Sequence, residues 1–327
     1  MKPINGPTRR HVLAAAAALI AAPAAAQDTA FPHRQLRIIV PLAPGGSNDT
    51  LGRIMAERLR DSLGQLVFVE NRPGAASNLG FELVATSPPD GYTLLLAPDS
   101  LTVNPALFQN LRYNAQTSFA PVIQMARAAQ MLVVRPALGV STLAEFIALA
   151  KARPGQLNIA SPGNASAGHL TGVMLSMRAE TRWTHVPYRG GGPAVTDTLA
   201  GTVDALWVTP APAMPHLRSG ALRALAVSSL TRATALPEVP TVAEQGFPGF
   251  EVINWQGILA PAGTPPAVVQ RLNEAMNAVL VDPPIKARLE DLGFEIVGGP
   301  PDVLARTIAD NLPRWRELIR AANITAD

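Results

Sequence analysis

Residues 45–49 group residue types that are suited to binding chemistry: two glycines and three small polar side chains, Gly45, Gly46, Ser47, Asn48 and Asp49. An apolar run precedes them at 36–40, and apolar residues at helical spacing follow as far as residue 63. The pattern therefore predicts a strand, a glycine-rich loop and a helix. Such a corner binds anions, because glycine lets backbone N–H groups approach a ligand and the helix N-terminus carries partial positive charge. The alternative is an ordinary turn between a strand and a helix.

The polar side chains of this loop have two possible roles each. Ser47 and Asn48 donate hydrogen bonds to a carboxylate, or Ser47 serves as a plain N-cap of the helix. Asp49 is an acid beside a proposed anion site. We therefore expect it to accept hydrogen bonds from the first turn of the helix, or to bind an amine of the ligand.

The same arrangement returns twice in the second half of the chain. A strand at 157–160 precedes a loop at 161–166, and a strand at 184–187 precedes a loop at 188–192. These loops supply six further candidate ligand-binding residues: Ser161, Gly163, Asn164, Ser166, Tyr188 and Arg189. Tyr188 either lines a cleft or packs. Arg189 either pairs with an anionic ligand or is solvated.

Four further positions are candidates for the ligand site. Ser77 and Asn78 end a loop before a helix predicted at 77–85, and Asn78 either caps that helix or reaches the ligand. His169 lies in the first turn of a helix, where a structural hydrogen bond is favoured over catalysis because no partner acid is evident. Thr209 follows a strand predicted at 204–208. The nearby Trp207 is predicted, like Trp255, to belong to the core.

Short strands alternate with helices, which predicts βαβ units and a parallel sheet. Ligands bind beyond the carboxyl ends of such strands, and the loops at 45–49, 71–78 and 98–100 share that edge. The apolar stretch 120–134 is a strand pair or a connection between domains. A helix at 142–152 has Ser141 as its predicted cap.

The remaining elements complete two halves. A strand at 254–261 returns to the first half, and helices at 265–281, 285–292 and 303–321 end the chain, with a short strand at 294–297. Two halves with matching loops can face each other, and a ligand then lies in the cleft between them.

Composition excludes several classes of function. The chain has 327 residues and no cysteine, which excludes disulfides, thiolate metal sites and cysteine nucleophiles. Its formal charge is +3, but residues 1–26 contribute three basic residues and no acid. The remainder holds 24 basic and 24 acidic residues, so no basic excess indicates nucleic-acid binding.

Residues 1–26 have the pattern of a secretory signal peptide. An apolar run at 12–22 follows Arg9 and Arg10, and three alanines at 24–26 offer a cleavage site. The segment at 8–13 also resembles a twin-arginine signal, so the export route stays open. No later apolar run approaches the ~20 residues of a membrane span. We expect a soluble periplasmic protein cleaved near Ala26.

No enzymatic motif is evident. The chain lacks a G-x-S-x-G elbow, an H-E-x-x-H pair and a phosphate-binding Gly-Lys-Ser/Thr loop. The glycine run at 190–192 lacks the spacing of a dinucleotide site. We therefore expect no catalytic residue, no metal site and no cofactor.

A series of short blocks spans nearly all of the chain after the signal peptide: IVP at 39–41, PGGSND at 44–49, VENRPG at 69–74, PDGYTL at 89–94, NPAL at 104–107, SPGN at 161–164, HL at 169–170, HVPYRG at 185–190, LRALAV at 222–227, PEVPTVAE at 237–244 and LAPAGTP at 259–265. In these blocks and their order the chain resembles the Bug or TctC-type periplasmic solute-binding proteins of tripartite tricarboxylate transporters.

The resemblance implies an α/β, type II periplasmic-binding-protein fold, with two α/β domains and a ligand cleft between them. Domain 1 is expected at 27–126 and 247–327, and domain 2 at 127–246. The resemblance also implies capture of a small organic carboxylate by residues of the 45–49 and 161–166 regions, for delivery to membrane permease subunits by a monomer. The alternatives are a periplasmic enzyme acting on a carboxylate ester, and a sensor that passes its closed form to a receptor.

The chain departs from the family pattern at two places. The run Trp207-Val208-Thr209-Pro210 is bulkier and less polar than the polar pair that is frequent there, and the loop after Gly163 holds fewer small polar residues. A more apolar wall would suit an aromatic or longer carboxylate.

Overall fold

The computed structural model describes residues 31–321 and 324–325. The predicted signal peptide therefore lies outside the described residues. Within them, two sheets are each covered on both faces, and no helix is long and apolar enough to cross a bilayer.

The first sheet has six strands. They are β1 (Leu36–Val40), β2 (Val67–Asn71), β3 (Thr93–Pro98), β4 (Phe119–Ala129), β10 (Ile253–Pro261) and β11 (Glu295–Ile296). Their order is β11-β4-β10-β3-β1-β2. β1 pairs in parallel with β2 and β3, as predicted, whereas β10 is antiparallel to β3 and β4.

The second sheet has five strands in the order β7-β6-β8-β5-β9. They are β5 (Met131–Val134), β6 (Asn158–Ser161), β7 (Thr184–Pro187), β8 (Ala205–Val208) and β9 (Arg223–Val227). β6 is parallel to β7 and β8, and β5 is antiparallel to β8 and β9.

Ten α-helices cover the sheets in the part of the chain that the structure describes. They are α1 (Ser47–Leu63), α2 (Asn78–Ala85), α3 (Ser100–Leu107), α4 (Leu143–Ala152), α5 (Ala167–Arg178), α6 (Gly191–Ala200), α7 (Pro210–Arg218), α8 (Pro266–Val281), α9 (Pro283–Asp291) and α10 (Pro301–Ala321). Two 3₁₀ turns lie at Ala75–Ser77 and Pro136–Leu138.

Alternate residues of β1 serve different cores, which explains why this strand is a continuous apolar run. Ile38 packs in the cluster with α1, α8 and α9, and Ile39 packs in the cluster with α2 and α10. Successive strand side chains point to opposite faces, so a sheet covered on both faces needs apolar residues at every position.

The chain passes between the sheets at Gln130 and again between β9 and β10. The stretch 120–134 therefore forms two strands of different sheets. β4 belongs to the first sheet as far as Ala129, three residues beyond the predicted boundary at 126. The division into domains at 126 and 247 stays a prediction.

The last helix packs against both halves. Leu304 and Ile308 of α10 lie in a core cluster of the first sheet. Trp315 and Ile319 lie in the cluster that contains α4, α5 and strands of the second sheet. This helix therefore joins the two halves in addition to the linking strands.

The predicted cap of α4 is wrong by one residue. The N-cap is Thr142, whose side chain accepts a hydrogen bond from the backbone N–H of Glu145, while Glu145 accepts from the backbone N–H of Thr142. This reciprocal pair is a capping box. Ser141 lies one residue outside the helix and its hydroxyl contacts Arg223.

We expect Thr142→Ala to lower the free energy of unfolding by about 1 kcal/mol, because it leaves an N–H of the first turn without its acceptor. Urea unfolding followed by circular dichroism measures the change. Ser141→Ala is the matched control and should stay within about 0.5 kcal/mol of the wild type. Equal losses in the two variants would contradict the assignment of the cap to Thr142.

Candidate ligand-binding cleft

A cavity of about 410 Å³ lies between the two halves and is lined by residues of both. Among the predicted binding residues it is lined by Gly46, Ser47, Asn48, Ser77, Gly163, Asn164, Ser166, Tyr188, Arg189 and Thr209. The predicted residues that do not line it are Gly45, Asp49, Asn78, Ser161 and His169. The cavity is within the size range of small-molecule sites.

The N-terminus of α1 reaches the cavity without a side-chain cap. Gly46 is the N-cap residue, so the predicted capping role of Ser47 is wrong. The Ser47 hydroxyl instead hydrogen-bonds the hydroxyl of Thr209, which lies at the start of α7 in the other half. Asn48 donates through its side-chain amide to the Leu96 carbonyl at 3.4 Å. The first-turn N–H groups of α1 remain available to an anion.

Asp49 stabilises the glycine turn behind the cavity wall. Its carboxylate accepts hydrogen bonds from the N–H of Gly45 at 3.0 Å and from Arg53 at 2.9 Å. Burial opposes the ionisation of Asp49, but these hydrogen bonds outweigh burial and lower its pKa. Arg53 also donates to Asn71 at 3.1 Å, which links the turn to the end of β2.

The glycine-rich loops of the two halves touch each other beside the cavity. The N–H of Ala43 donates to the carbonyl of Arg189 at 2.7 Å. A Cβ atom built on Gly192 would lie 2.6 Å from the carbonyl oxygen of Pro44, and one built on Gly46 would lie 3.3 Å from the backbone nitrogen of Gly191. At Gly192 only glycine permits this approach, and we call this contact between the two halves the closed arrangement.

The N-terminus of α6 meets the same corner. Its N-cap is Gly190, which provides no side-chain cap, and Gly191 lines the cavity. The helix N-termini of α1 and α6 therefore converge from opposite halves. Their partial positive charges favour an anion at the point where they meet.

The wall at 75–77 has an unusual backbone. Ala75, Ala76 and Ser77 have φ values of 46°, 51° and 76°, the left-handed region that non-glycine residues rarely adopt. Asn104 holds this turn by donating its side-chain amide to the Ala76 carbonyl at 2.9 Å and to the side-chain oxygen of Asn78 at 2.6 Å. Asn78 thus supports the wall from behind. Strain of this kind accumulates at binding sites.

His169 and His185 form a stacked pair behind the second loop. Their ring centroids are 3.9 Å apart, with an interplanar angle of 7°. His185 also shares a hydrogen bond of 2.7 Å with the hydroxyl of Ser161, which is 1 % exposed. Burial lowers the pKa of His169 to about 4, and burial together with His169 lowers that of His185 to about 3. Both rings are therefore neutral at pH 7.

Tyr188 and Arg189 occupy the cavity wall in different ways. The Tyr188 hydroxyl donates to Asp197 at 2.7 Å, and partial burial together with this carboxylate raises the pKa of Tyr188 to about 12. Arg189 is exposed and lines the cavity, and its backbone carbonyl accepts the hydrogen bond from Ala43. Trp207 and Trp255 are buried, as predicted.

The sequence analysis missed four buried polar residues that line the cavity: Asp99, Ser100, Gln130 and Asn254. Asn254 donates its side-chain amide to Asp99, and Gln256 donates to Asn254. Burial raises the pKa of Asp99 to about 7. The loop at 98–100 was predicted at the ligand edge of the sheet, but Asp99 and Ser100 were not named there as binding residues. Gln130 and Asn254 lie on the connections between the sheets, where no sequence pattern indicated a ligand.

Comparison with known proteins agrees with this architecture. Residues 51–324 match the family described as "Tripartite tricarboxylate transporter family receptor", TctC. The chain belongs to this family. TctC proteins are solute-binding receptors rather than enzymes, which confirms the predicted family, fold class and absence of enzymatic function.

Several TctC relatives are similar over nearly their full length. BugT of Bordetella pertussis is 39% identical over 307 residues, 93% of this chain and 94% of BugT. The solved periplasmic binding protein BugD is 33% identical, with a TM-score of 0.88 over 91% of this chain and 100% of BugD.

Two similar solved structures contain carboxylates. Rpa4515 of R. palustris with adipate is 33% identical, with a TM-score of 0.88 over 90% of this chain and 99% of that one. MatC of Rhodopseudomonas palustris with bound malate is 32% identical, with a TM-score of 0.84 over 88% of this chain and 100% of MatC.

We expect Gly192→Ala to weaken the closed arrangement, because its methyl group would overlap the Pro44 carbonyl. Gly192 has no positive φ, so alanine fits its own helix. Overpacking of about 1–3 kcal/mol would lower the affinity for a cleft ligand about 5- to 150-fold with little change in Tm. Calorimetric titration and small-angle scattering measure affinity and closure. Thr196→Ala, an exposed change on the same helix, is the control and should behave as wild type. Wild-type affinity and closure in Gly192→Ala would show that the contact between Gly192 and Pro44 does not govern closure.

The stacked histidines predict a loss of stability in acid. Below about pH 6.5 the two histidines bind protons in the unfolded chain. In the folded chain they bind protons only near their lowered pKa values of about 4 and 3. The free energy of unfolding then falls by up to about 1.4 kcal/mol per pH unit for each histidine. Asp99 acts with the opposite sign, since its raised pKa makes stability fall as the pH rises from about 4 to 7.

His169→Phe isolates the histidine contribution. Phenylalanine keeps a flat ring against His185 but does not titrate, whereas Asp99 is unchanged. Urea unfolding at pH 5, 6 and 7 should show a lower dependence of stability on pH than in the wild type. The difference grows toward about one proton, or 1.4 kcal/mol per pH unit, at the acid end of this range. Identical slopes in the two proteins would show that folding does not lower the pKa of His169.

Proposed function

We propose that this protein is an extracytoplasmic receptor that captures one small organic carboxylate in the cleft and delivers it to a tripartite tricarboxylate-type transporter. The observation that carries the proposal is the convergence of two uncapped helix N-termini, those of α1 and α6, beside a closed interdomain cavity. Backbone N–H groups there supply several donors for one carboxylate.

The neighbouring structures support the class of ligand. Adipate and malate are bound by Rpa4515 and MatC, which share this fold at more than 30% identity. Arg189 adds a cation at the edge of the cavity, where it can attract an anion before closure.

Capture requires that the halves open and close. Opening breaks the contact between the Ala43 N–H and the Arg189 carbonyl and the hydroxyl pair of Ser47 and Thr209. A ligand anion held by helix N-termini of both halves favours the closed state, because it binds that state with both sets of donors.

Delivery, export and assembly complete the proposal. The closed form would be presented to membrane permease subunits by a monomeric protein. The segment at 1–26 would be cleaved near Ala26 on export to the periplasm. A sensory role would use the same closed form with a receptor in place of a permease.

An enzymatic role on a carboxylate ester finds little support in the cavity. The hydrogen bond between Ser161 and His185 has the residue types of a nucleophile and a base, but Ser161 does not line the cavity. Its hydroxyl also donates to the Gly163 carbonyl, which assigns it to the loop.

A thermal-shift screen of the protein from Gln27 onward tests the proposal. The panel contains di- and tricarboxylates, amino acids, aromatic acids and their amides. A ligand at a hundredfold excess over its Kd should add about 2.7 kcal/mol to the free energy of unfolding. Recovery of the ligand unchanged would support a receptor, whereas turnover would support an enzyme. No shift with any carboxylate would contradict the proposal.

A further inference from the structure

The cleft has a donor end and an acceptor end. The donor end is the corner where Gly46 and Gly191 meet, at the N-termini of α1 and α6. The acceptor end lies where the chain passes between the sheets and is formed by Asp99, Ser100 and Gln130. Among the described residues that line the cavity, Asp99 is the one acidic residue and Arg189 the one basic residue. The lining side chains therefore carry no excess of positive charge.

The N-terminus of α5 is already occupied by groups of the protein. The side chain of Ser166 caps the helix by accepting a hydrogen bond from the N–H of His169 at 3.2 Å. The Asp99 carboxylate also faces the backbone of Ala167 in the first turn, which favours its charged form. An anionic ligand group would therefore compete there with a carboxylate of the chain itself.

Only one of the two carboxylate oxygens of Asp99 has a hydrogen-bond partner among the described residues. Its Oδ1 accepts a hydrogen bond from Asn254, but among the described residues its Oδ2 has no hydrogen-bond partner. The Ser100 hydroxyl and the Gln130 side-chain oxygen are likewise unpartnered there. All three residues are at least 96 % buried. A buried carboxylate oxygen without a donor is costly, so a donor that reaches it contributes to binding.

We propose that the cleft takes a carboxylate whose far end carries an N–H or O–H donor, and that Asp99 accepts this donor and selects against a second ionised carboxylate. The proposal rests on the proposed function and specifies its ligand class. The ligand carboxylate occupies the donor end, and an amino, amide or hydroxyl group meets Asp99 at the acceptor end. At pH 8, above the Asp99 pKa of about 7, Asp99 is mostly ionised. A dicarboxylate then places a like charge against it, which disfavours the dicarboxylate.

The fixed partners of Asp99 make this selection specific. Asn254 is itself held by Gln256, so the carboxylate is oriented from β10. The side chain cannot turn away without losing the hydrogen bond from Asn254. A ligand therefore meets Oδ2 in a preorganised position, which is the arrangement that gives discrimination between end groups.

Matched ligands test the proposal by calorimetric titration of the full mature chain at pH 8. Each set keeps one carboxylate and one chain length, at four and at six carbons, and varies the far end among methyl, hydroxyl, amide, ammonium and carboxylate. We expect at least one donor-bearing member to bind about tenfold or more tightly than the dicarboxylate of equal length. The methyl member should also bind more weakly than that donor-bearing ligand, because it leaves Oδ2 unpaired.

Asp99→Asn removes the charge and keeps the shape of the side chain. The preference for the ammonium ligand over the dicarboxylate should fall about tenfold or reverse in this variant. Asp61→Asn removes an exposed charge on α1 and should leave the order of affinities unchanged. Ligand-free unfolding curves show whether each variant is folded. If Asp99→Asn is not folded, the order of ligand affinities measured on the wild type decides the proposal by itself.

The outcomes separate this proposal from the proposed function. If the wild type binds the dicarboxylate as tightly as every donor-bearing member, the inference is overturned and the carboxylate receptor stands. The same inference fails if Asp99→Asn keeps the wild-type order. If no compound with a carboxylate binds, both proposals are overturned.

Discussion

The close approach of two glycine-rich backbones is the contact on which the cleft depends. Gly46 and Gly192 bring the loops of the two halves so near that a methyl group on Gly192 would overlap the Pro44 carbonyl. Because side chains are absent there, the N-termini of α1 and α6 can point at one place. An anion site made of backbone groups needs this proximity, since helix-terminus electrostatics decay within the first turn.

Two kinds of connection control how the halves move. β4 and β10 pair with each other in the first sheet, and β4 leads directly into β5 of the second. α10 contributes Leu304 to a core of the first half and Trp315 to a core of the second. Opening of the proposed cleft would therefore bend the chain near residue 130 and in the 228–252 segment, where it crosses between the sheets.

The same junction places a buried acid in the lining of the cleft. Asp99 and Asn254 come from neighbouring strands of the first sheet, and the first turn of α5 comes from the second half. Rpa4515 and MatC have adipate and malate bound. In this chain the buried Asp99 lines the cavity beside the first turn of α5, and under the proposed selection its charge would separate ligands that have the same carboxylate at one end.

The sequence determined the local elements and the first half of the site. Apolar runs at 36–40 and 157–160 specify strands that are covered on both faces, and the glycines that follow them specify loops that only glycine can form, because these are properties of neighbouring residues. The sequence placed Asn78, Ser161 and His169 among possible ligand groups, whereas the structure puts them in hydrogen bonds behind the wall. Only the tertiary structure decided which carboxylate faces the cavity. Asp99, Gln130 and Asn254 are distant in sequence, and their role follows from the crossing of the linking strands, which brings polar groups of both halves into one buried space.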